Sequence, residues 1–274
     1  MSSCLPTYSS SSSPPMRQKQ KKRNKPISLF TQKSGRSNAA GLLKSEMKYI
    51  TLPDDRTRRL SFYLAMEEYV AKMLRNGDDC FFMWQVEPSV IYGRNQLVEN
   101  EVNLNYCQQH GIEIFQRKSG GGCVYADRDN LMLSYVTREQ HVDLAFNTFV
   151  NMLLLVLFKM GVEAVSTMRN DIMASGKKLC GTACRKLPQG SIVHSTLLYD
   201  TNMQHMLNAI TPGPEKLQKK GIQSVRQRIT LLKDHTTLSL DEVKDFIRQT
   251  LCRSEQTLTE ADVTAITELE KNLL

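Results

Sequence analysis

The most unusual stretch of the chain places two basic residues before three successive glycines, in Gln116-Arg117-Lys118-Ser119-Gly120-Gly121-Gly122-Cys123-Val124-Tyr125-Ala126-Asp127. Glycines accept positive φ values and let a ligand approach the backbone closely. Their N–H groups can form a concave anion-binding site, beside which Arg117 and Lys118 add positive charge. A flexible hairpin loop is the alternative explanation. No Gly-Lys-Ser/Thr follows the glycines, so the segment does not fit a P-loop.

A second candidate is a lysine within an apolar hairpin, in the segments Arg169-Asn170-Asp171 and Gly176-Lys177-Lys178-Leu179-Cys180-Gly181. A lysine in this setting must reach solvent or meet an anion, because burying it unpaired is costly. A compact ammonium group suits a phosphate or the carbonyl of an activated ester. Two solvent-exposed lysines on an edge strand would produce the same pattern.

Two more residues give weaker signals when each is taken alone. Arg94 follows a strand-like run, where an arginine can clamp a carboxylate or phosphate through its planar fork, although an ordinary surface arginine also fits. His194 interrupts an otherwise apolar strand, where a hydrogen-bonded core histidine is commoner than a catalyst.

The elements that must position these residues follow from apolar periodicity and from turn residues. Helical spacing predicts a helix over about 61–76 and a long one over 144–160. Alternating or short apolar runs predict strands at 80–86, 89–92, 112–116, 122–126, 131–137, 172–174, 177–183 and 191–199, with a hairpin turn at Ser175-Gly176. Two helices follow the N-cap residues Ser239 and Thr259. Strands that are grouped, with helices inserted between them, predict an α+β fold with mixed or antiparallel sheets flanked by helices.

The positive charge is confined to one end of the chain. Residues 1–46 hold nine Lys or Arg and one acid, which accounts for the whole formal net charge of +8. The remaining residues are formally neutral, which argues against a nucleic-acid-binding body. We therefore expect no nucleic-acid partner.

Residues 1–46 are predicted to be a disordered basic tail, because they are rich in Ser, Pro and Lys and have no apolar periodicity. The same composition is compatible with a transit peptide or with a misassigned start. The Pro pair and the compact Lys cluster do not suit an amphipathic targeting helix, so Met47 is predicted to be the functional start of a packed domain over 47–274. The expected location is the cytoplasm, or the mitochondrial matrix if the tail is a transit peptide.

Cysteine usage and hydropathy indicate a reducing compartment and no membrane span. The seven cysteines are odd in number and irregularly spaced, as free thiols would be. Cys180 and Cys184 have no second ligand pair at zinc-site spacing. No segment is expected to reach the length of a membrane span. The longest apolar stretch, 144–160, includes Asn147, Asn151 and Lys159 and stops at Gly161, so it is interpreted as a buried helix of a soluble protein.

Taken together, the separated motifs resemble the lipoate–protein ligase A family, whose catalytic domain has the biotin/lipoate ligase architecture. The resemblance covers about residues 47–235. It depends on the order and spacing of Trp84-Gln85, Tyr92-Gly93-Arg94-Asn95-Gln96, Arg117 to Gly122, Arg169-Asn170-Asp171, Lys177-Lys178 with Gly181, and His194 with Thr196-Leu197-Leu198. Gly221 to Arg228 resembles the segment that follows the core in that family.

The resemblance implies an enzyme that joins lipoate to AMP from ATP with Mg²⁺ and passes the acyl group to a lysine of a lipoyl domain. Such domains occur in 2-oxoacid dehydrogenase complexes and in the glycine cleavage H protein. On this pattern Lys178 is catalytic and contacts the mixed-anhydride oxygens, and Asp171 is a candidate Mg²⁺ ligand. The substrate and the nucleotide would be held by Arg94, Arg117, Ser119, Gly120, Gly121, Gly122, Val124, Tyr125, Asn170, Asp171 and His194.

The chain departs from the family pattern at four positions and in length. Ala126 replaces a usual histidine, Asp129 a usual glycine, Gln116 a common arginine and Cys180 a common serine. The chain also stops near the end of the catalytic domain, without the smaller C-terminal domain of many such ligases. We therefore hypothesise that a separate accessory chain supplies that domain.

Other functions remain open at this point. A related octanoyltransferase would act without ATP through a cysteine thioester, but Ser191 and the residues 167–169 stand where its branches place the cysteine. Cys123 and Cys180 lie near the motifs and match neither pattern. A biotin ligase would share the fold, although the Arg-Asn-Asp and Lys-Lys-Leu-Cys-Gly arrangement agrees better with lipoate enzymes. A non-catalytic acyl-binding protein is the remaining alternative.

Overall fold

The computed structural model describes residues 47–74, 78–167, 171–210 and 228–272. The predicted tail, Asn170 and the segment from Gly221 to Gln227 lie outside the described residues.

Within these ranges the strands, in chain order, are β1 (Met47–Thr51), β2 (Asp79–Trp84), β3 (Ser89–Tyr92), β4 (Glu113–Gln116), β5 (Val124–Ala126), β6 (Asn130–Thr137), β7 (Ala164–Ser166), β8 (Asp171–Ala174), β9 (Lys177–Leu187), β10 (Gly190–Leu198) and β11 (Ser254–Thr257). The helices are α1 (Leu60–Met73), α2 (Val98–Glu101), α3 (Leu104–Gln109), α4 (Val142–Lys159), α5 (Met203–Ala209), α6 (Leu240–Leu251) and α7 (Glu260–Lys271). A 3₁₀ turn at Leu232–Asp234 precedes α6.

The strands form two sheets. The larger sheet has the order β11-β1-β2-β6-β10-β9-β8-β7, and the smaller sheet has the order β4-β3-β5. Strand β1 runs parallel to β2 and β11, whereas the pairs from β2 through β6, β10, β9, β8 and β7 are antiparallel. The fold is therefore α+β with a mixed sheet, as predicted.

Helices cover both faces of the large sheet because its central strands are apolar on both sides. Successive side chains of a strand point to opposite faces, so neighbouring residues enter different cores. One core contains Phe81, Leu133 and Val193 together with residues of α4 and α6. The other contains Phe82, Met132 and Ile192 together with residues of α1 and α7. Strand β6 is buried along its whole length and β10 is buried except at His194, so these two central strands position the middle of the site.

Local sequence signals correctly predicted where two helices begin and where one hairpin turns. Ser239 and Thr259 each form a capping box with the residue three positions later, at the starts of α6 and α7. The predicted turn between β8 and β9 has φ 49° at Ser175 and φ 73° at Gly176, as a tight hairpin turn requires. Strands β1, β7 and β11 and helices α2, α3 and α5 were not predicted.

Helix α4 corrects one prediction about membrane spans. Among the described residues it is long and apolar enough, by length and composition, to cross a membrane, so the expectation that no segment reaches that length is wrong. Its buried face, which includes Phe149, Leu153 and Leu157, packs in the first core. A core helix passes the same length and composition test, so α4 alone does not indicate a membrane span.

Candidate active site

The glycine loop is shaped by the buried side chain of Arg117. The guanidinium group donates to the carbonyl oxygens of Gly120 at 2.9 Å, Gly122 at 2.6 Å and Ile91 at 3.2 Å. Only 5% of Arg117 is exposed, and burial lowers the pKa of its guanidinium. These contacts offset the cost of burying the charge. Arg117 was predicted to meet a ligand, but its donors are largely occupied by loop carbonyls, so it acts here as a support for the loop.

The direction of these carbonyls fixes the direction of the loop amides. In a trans peptide the C=O and the following N–H point in opposite directions. The N–H groups of Gly121 and Cys123 therefore point away from Arg117. Within the described part of the chain, the N–H groups of Gly120, Gly121 and Gly122 donate to no protein acceptor. The loop thus presents unused donors, as an anion-binding backbone requires.

Close packing explains two of the glycines around this loop. A Cβ on Gly93, which follows β3, would lie 2.3 Å from the carbonyl oxygen of Gly121. Gly121 itself has φ +101°, and a Cβ there would lie 2.8 Å from Arg117 Nη2. Glycine at both positions allows the end of β3 and the loop to touch.

Lys178 lies on β9, with its ammonium group beside a carboxylate. Its Nζ is 2.8 Å from Oδ1 of Asp171 on the neighbouring strand β8. The Lys178 side chain folds over Gly181, where a Cβ would lie only 2.9 Å from Nζ. The carbonyl of Lys178 also accepts a hydrogen bond from the Thr230 N–H at 2.9 Å. The side chain is 38% exposed, so its charge remains accessible to a ligand.

Two adjoining cavities bring the glycine loop and Lys178 together. The first, of about 150 Å³, has an apolar part formed by Leu64, Trp84, Ile91 and Met132. The second, of about 510 Å³, extends towards Tyr125, Met206, Arg228 and Ile229. Both are lined by Cys123, Val124, Asp171, Lys178, Gly181 and Thr196. Lys178 and the loop therefore stand between an apolar chamber and a larger, more open one.

A chain of hydrogen bonds reaches the start of the glycine loop from the side of the large sheet that α1 covers. Ser119 Oγ lies 2.8 Å from Nε2 of His194, whose Nδ1 lies 3.1 Å from Glu67 Oε2. Glu67 Oε1 also accepts from the Ser134 hydroxyl at 2.7 Å, and Ser134 Oγ accepts from the Trp84 indole N–H at 2.9 Å. His194 is thus both a hydrogen-bonded sheet residue and a residue of the cavity wall.

Of the remaining predicted site residues, some line the two cavities and others do not. Val124 lines both cavities and Tyr125 lines the larger one. Arg94 donates its backbone N–H to the Ser119 carbonyl, but its side chain is exposed and lines neither cavity. The predicted role of Asn170 falls outside the described residues. Lys178, Asp171, His194 and the glycine loop are therefore the predicted residues that converge.

The cysteines close to the site have unreactive thiols. Burial raises the pKa of Cys123 to about 12 and the pKa of Cys180 to about 11. A thiol acts as a nucleophile in its thiolate form, and these thiols are protonated at neutral pH. The six cysteines in the described ranges are free. The geometry therefore gives no support to the thioester alternative.

Glu67 and Ser134 were missed as site residues. Glu67 lies in Leu64-Ala65-Met66-Glu67-Glu68 of α1, where two adjacent acids are typical of a solvated helix face. In the structure Glu67 is 3% exposed, whereas Glu68 pairs with Lys118 and Arg185. Sequence offered one clue, since helical spacing from Tyr63, Met66 and Val70 places Glu67 next to the apolar face.

The fold and the cavities define an α+β domain whose site combines a glycine-rich loop with a lysine on a shared cavity wall. A model described as the lipoyl protein ligase A/B catalytic domain matches residues 60–252. The chain belongs to that family. The resemblance inferred from the separated motifs is confirmed.

Known relatives agree in sequence and in structure. Lipoate–protein ligase 1 of Staphylococcus aureus is 36% identical over 191 residues, which cover 69% of this chain and 58% of that protein. The lipoate–protein ligase LplJ of Bacillus subtilis is 35% identical over 61% of this chain and 50% of its own length. The chain thus spans little more than half the length of these curated relatives. A bi-partite lipoate protein ligase from Thermoplasma acidophilum, described with its E2 lipoyl domain, superposes with a TM-score of 0.72 at 26% identity, covering 83% of this chain and 92% of that one.

Proposed function

We propose that this chain is the catalytic part of a lipoate–protein ligase, which converts lipoate and ATP to lipoyl-AMP and then acylates a lysine of a lipoyl domain. The observation that carries the proposal is the position of Lys178. Its ammonium group lies on the wall shared by an apolar chamber and a larger cavity, beside loop amides that have no protein acceptor in the described ranges.

The two cavities suit the two substrates of this reaction. Leu64, Trp84, Ile91 and Met132 offer an apolar surface for an acyl chain. The larger cavity is within the range of about 300–1,000 Å³ that is usual for small-molecule sites, and Arg228 at its edge can pair with phosphate oxygens. The carboxylate of the acyl chain would then meet the α-phosphate next to Lys178.

The first chemical step transfers an adenylyl group to the carboxylate. A carboxylate oxygen attacks the α-phosphorus, and the bond to pyrophosphate breaks. Negative charge gathers on the phosphate oxygens in this step, and the Lys178 ammonium and the N–H groups of Gly121 and Cys123 would stabilise it. In the second step the acceptor lysine, as its neutral amine, attacks the activated carbonyl carbon. The bond from that carbon to the phosphate oxygen breaks, AMP leaves, and the new amide nitrogen gives its extra proton to solvent.

Magnesium fits this site as an ion carried by the nucleotide. Among the described residues, no group of three or more His, Cys, Asp or Glu side chains could hold a metal ion by themselves. Mg²⁺ is commonly held by one or two carboxylates together with substrate phosphates. Asp171 is the acid that lines both cavities in the described ranges, so it is the residue that would contact such an ion. When bound, the ion would neutralise charge on the phosphates.

The natural acceptor and any accessory chain are part of the same proposal. The archaeal relative is described as bi-partite and together with its E2 lipoyl domain. We therefore propose a lipoyl domain of a 2-oxoacid dehydrogenase complex or of the glycine cleavage H protein as the acceptor. A separate accessory chain would complete the transfer step.

The test uses the full chain with Mg-ATP, lipoate and a lipoyl domain, with and without an accessory ligase chain from a bi-partite system. Lipoate-dependent pyrophosphate release followed by lipoylation of the domain supports the proposal. Octanoyl transfer from a carrier protein to the domain without ATP, with no lipoate-dependent pyrophosphate release, would replace it with a transferase. Binding of lipoate with no reaction under either condition would indicate an acyl-binding protein.

A further inference from the structure

The hydrogen bonds from Trp84 to Ser119 run in one consistent direction. The indole N–H can only donate, so Ser134 Oγ accepts from it and gives its own proton to Glu67. A carboxylate has no proton to give, so the proton between Glu67 and His194 sits on Nδ1. In a neutral imidazole Nε2 is then the acceptor, and the Ser119 hydroxyl donates to it at 2.8 Å. The hydroxyl proton of Ser119 is therefore held by a base.

This is the arrangement of an activated serine nucleophile. The nucleophile and the base are within hydrogen-bond reach, and a third group fixes the tautomer of the base. Ser119 is 3% exposed, and the side chains of His194 and Glu67 are 13% and 4% exposed, so solvent competes little for these bonds. We propose that Ser119, His194 and Glu67 give the chain a second activity, the ATP-independent cleavage of activated acyl esters or thioesters through an acyl-Ser119 intermediate.

The surroundings of Ser119 indicate the class of substrate. A cavity of about 270 Å³ is lined by Ser119, His194 and Glu67. Most of its lining is polar or charged, including Lys118 and Arg185, and Leu64, Ile114 and Phe115 form its apolar part. It adjoins the apolar chamber that contains Trp84 and Met132, since both are lined by Leu64, Arg117 and His194. The adjoining apolar chamber suits a medium-length acyl chain, and the polar cavity next to Ser119 suits the carbonyl end of the ester or thioester. The N–H groups of Gly120 and Gly121 follow the serine and have no protein acceptor in the described ranges, so they are candidate donors to the developing oxyanion.

The reaction balances without a further reagent except water. Ser119 Oγ bonds to the acyl carbon while its proton moves to His194 Nε2. The bond from the acyl carbon to the leaving oxygen or sulfur then breaks, and the leaving group takes the proton from His194. Water repeats the sequence on the acyl-serine ester, which releases the fatty acid and restores the hydroxyl. Neither ATP nor the ammonium of Lys178 takes part, so the activity stands independently of the proposed ligase reaction.

The experiment measures the release of p-nitrophenol from p-nitrophenyl octanoate by the full chain without ATP. The expected result is a burst followed by slow turnover, together with an octanoyl adduct that peptide mass spectrometry assigns to Ser119. Ser119→Ala and His194→Gln are expected to reduce the burst rate by roughly 10²-fold to 10⁴-fold. Glu67→Gln is expected to reduce the burst rate and to leave the adduct on Ser119, because the substitution disturbs the tautomer of His194. Ser191→Ala, which removes a buried hydroxyl that lies on β10 and outside the glycine loop, is the matched control and should leave the burst intact.

A second measurement avoids dependence on folding of the variants. A fluorophosphonate probe added to the unaltered protein is expected to label Ser119, and prior denaturation should abolish the labelling. An undiminished burst in Ser119→Ala, an adduct on a cysteine or on Ser191, or no labelling of the native protein by the probe would overturn the proposal.

Discussion

Replacing Gly181 with alanine is expected to impair catalysis while leaving the stability of the fold nearly unchanged. The new Cβ would lie 2.9 Å from Lys178 Nζ and 3.0 Å from Cε, whereas ordinary contacts begin at 3.4 Å. The lysine side chain is flexible, so it moves aside by at least about 0.5 Å and relieves the overlap. The ammonium group then leaves the position that it shares with Asp171 and the loop amides.

The expected change in the stability of Gly181→Ala is small, whereas the expected loss of its reaction rate is large. Lys178 is 38% exposed, so solvent screening limits its ion pair with Asp171 to about 0.2–1 kcal/mol of stability. Alanine in a strand regains about 0.5–1 kcal/mol relative to glycine, which nearly cancels that loss. A misplacement of about 1 Å in a catalytic group costs on the order of 10²-fold in rate, so the smaller displacement here should cost about 10-fold to 100-fold.

The assay pairs lipoate-dependent pyrophosphate release with urea unfolding, and Gly111→Ala serves as the control. Gly111 has φ +63° with nothing within 4 Å of an added Cβ, so alanine there is strained without touching the site. That variant should lose about 1–2 kcal/mol of stability and keep its activity per folded molecule. Wild-type activity in Gly181→Ala, or a loss of activity matched by an equal loss of stability, would refute the reasoning about Lys178.

Two further predictions concern the loop support and a helix cap. Arg117→Ala removes the guanidinium donor from the carbonyls of Gly120, Gly122 and Ile91, so urea unfolding should show a loss of about 2–4 kcal/mol. An unchanged midpoint would contradict the supporting role. Hydrogen bonds from the backbone and then the side chain of Ser239 lower the pKa of Glu242. The stability that these hydrogen bonds to the ionised Glu242 carboxylate provide is present above about pH 4.3, the usual pKa of glutamate in an unfolded chain. It is lost as the pH falls through the lower pKa that Glu242 has in the folded protein. The Glu242→Gln variant should lack that loss in unfolding curves taken from neutral pH to below pH 4, and the same loss in both proteins would refute the assignment.

The sequence predicts the elements whose signals are local. The capping residues Ser239 and Thr259 and the Ser175-Gly176 turn act over three or four positions, and the structure has each of them where it was predicted. Strands β1 and β11 were missed because their pairing joins Lys48 to Ser254 across most of the chain. The polar Ser-Glu-Gln-Thr sequence of β11 has no alternation that would indicate a strand.

The site was predictable in its composition but not in the roles of its residues. The glycine run and Lys178 carry signals that the sequence shows, and the structure places both on one cavity wall. Arg117 carries charge that suits a ligand, yet only the fold shows that its guanidinium is turned towards loop carbonyls. Glu67 has the sequence pattern of a surface acid, and its burial depends on the packing of α1 against the sheet. Roles that depend on which partner a charge meets require tertiary structure.

The most direct measurement of the central claim is lipoate-dependent pyrophosphate release by the full chain, compared between Lys178→Ala and Lys177→Ala. Lys177 is the exposed neighbour on the same strand, and its side chain points to the opposite face because successive strand residues alternate. The proposed function predicts that release falls by roughly 10²-fold or more in Lys178→Ala, as for the loss of a group that stabilises developing charge. It predicts that Lys177→Ala stays near the wild-type rate. Equal rates in the two variants, or release that does not depend on lipoate, would contradict it.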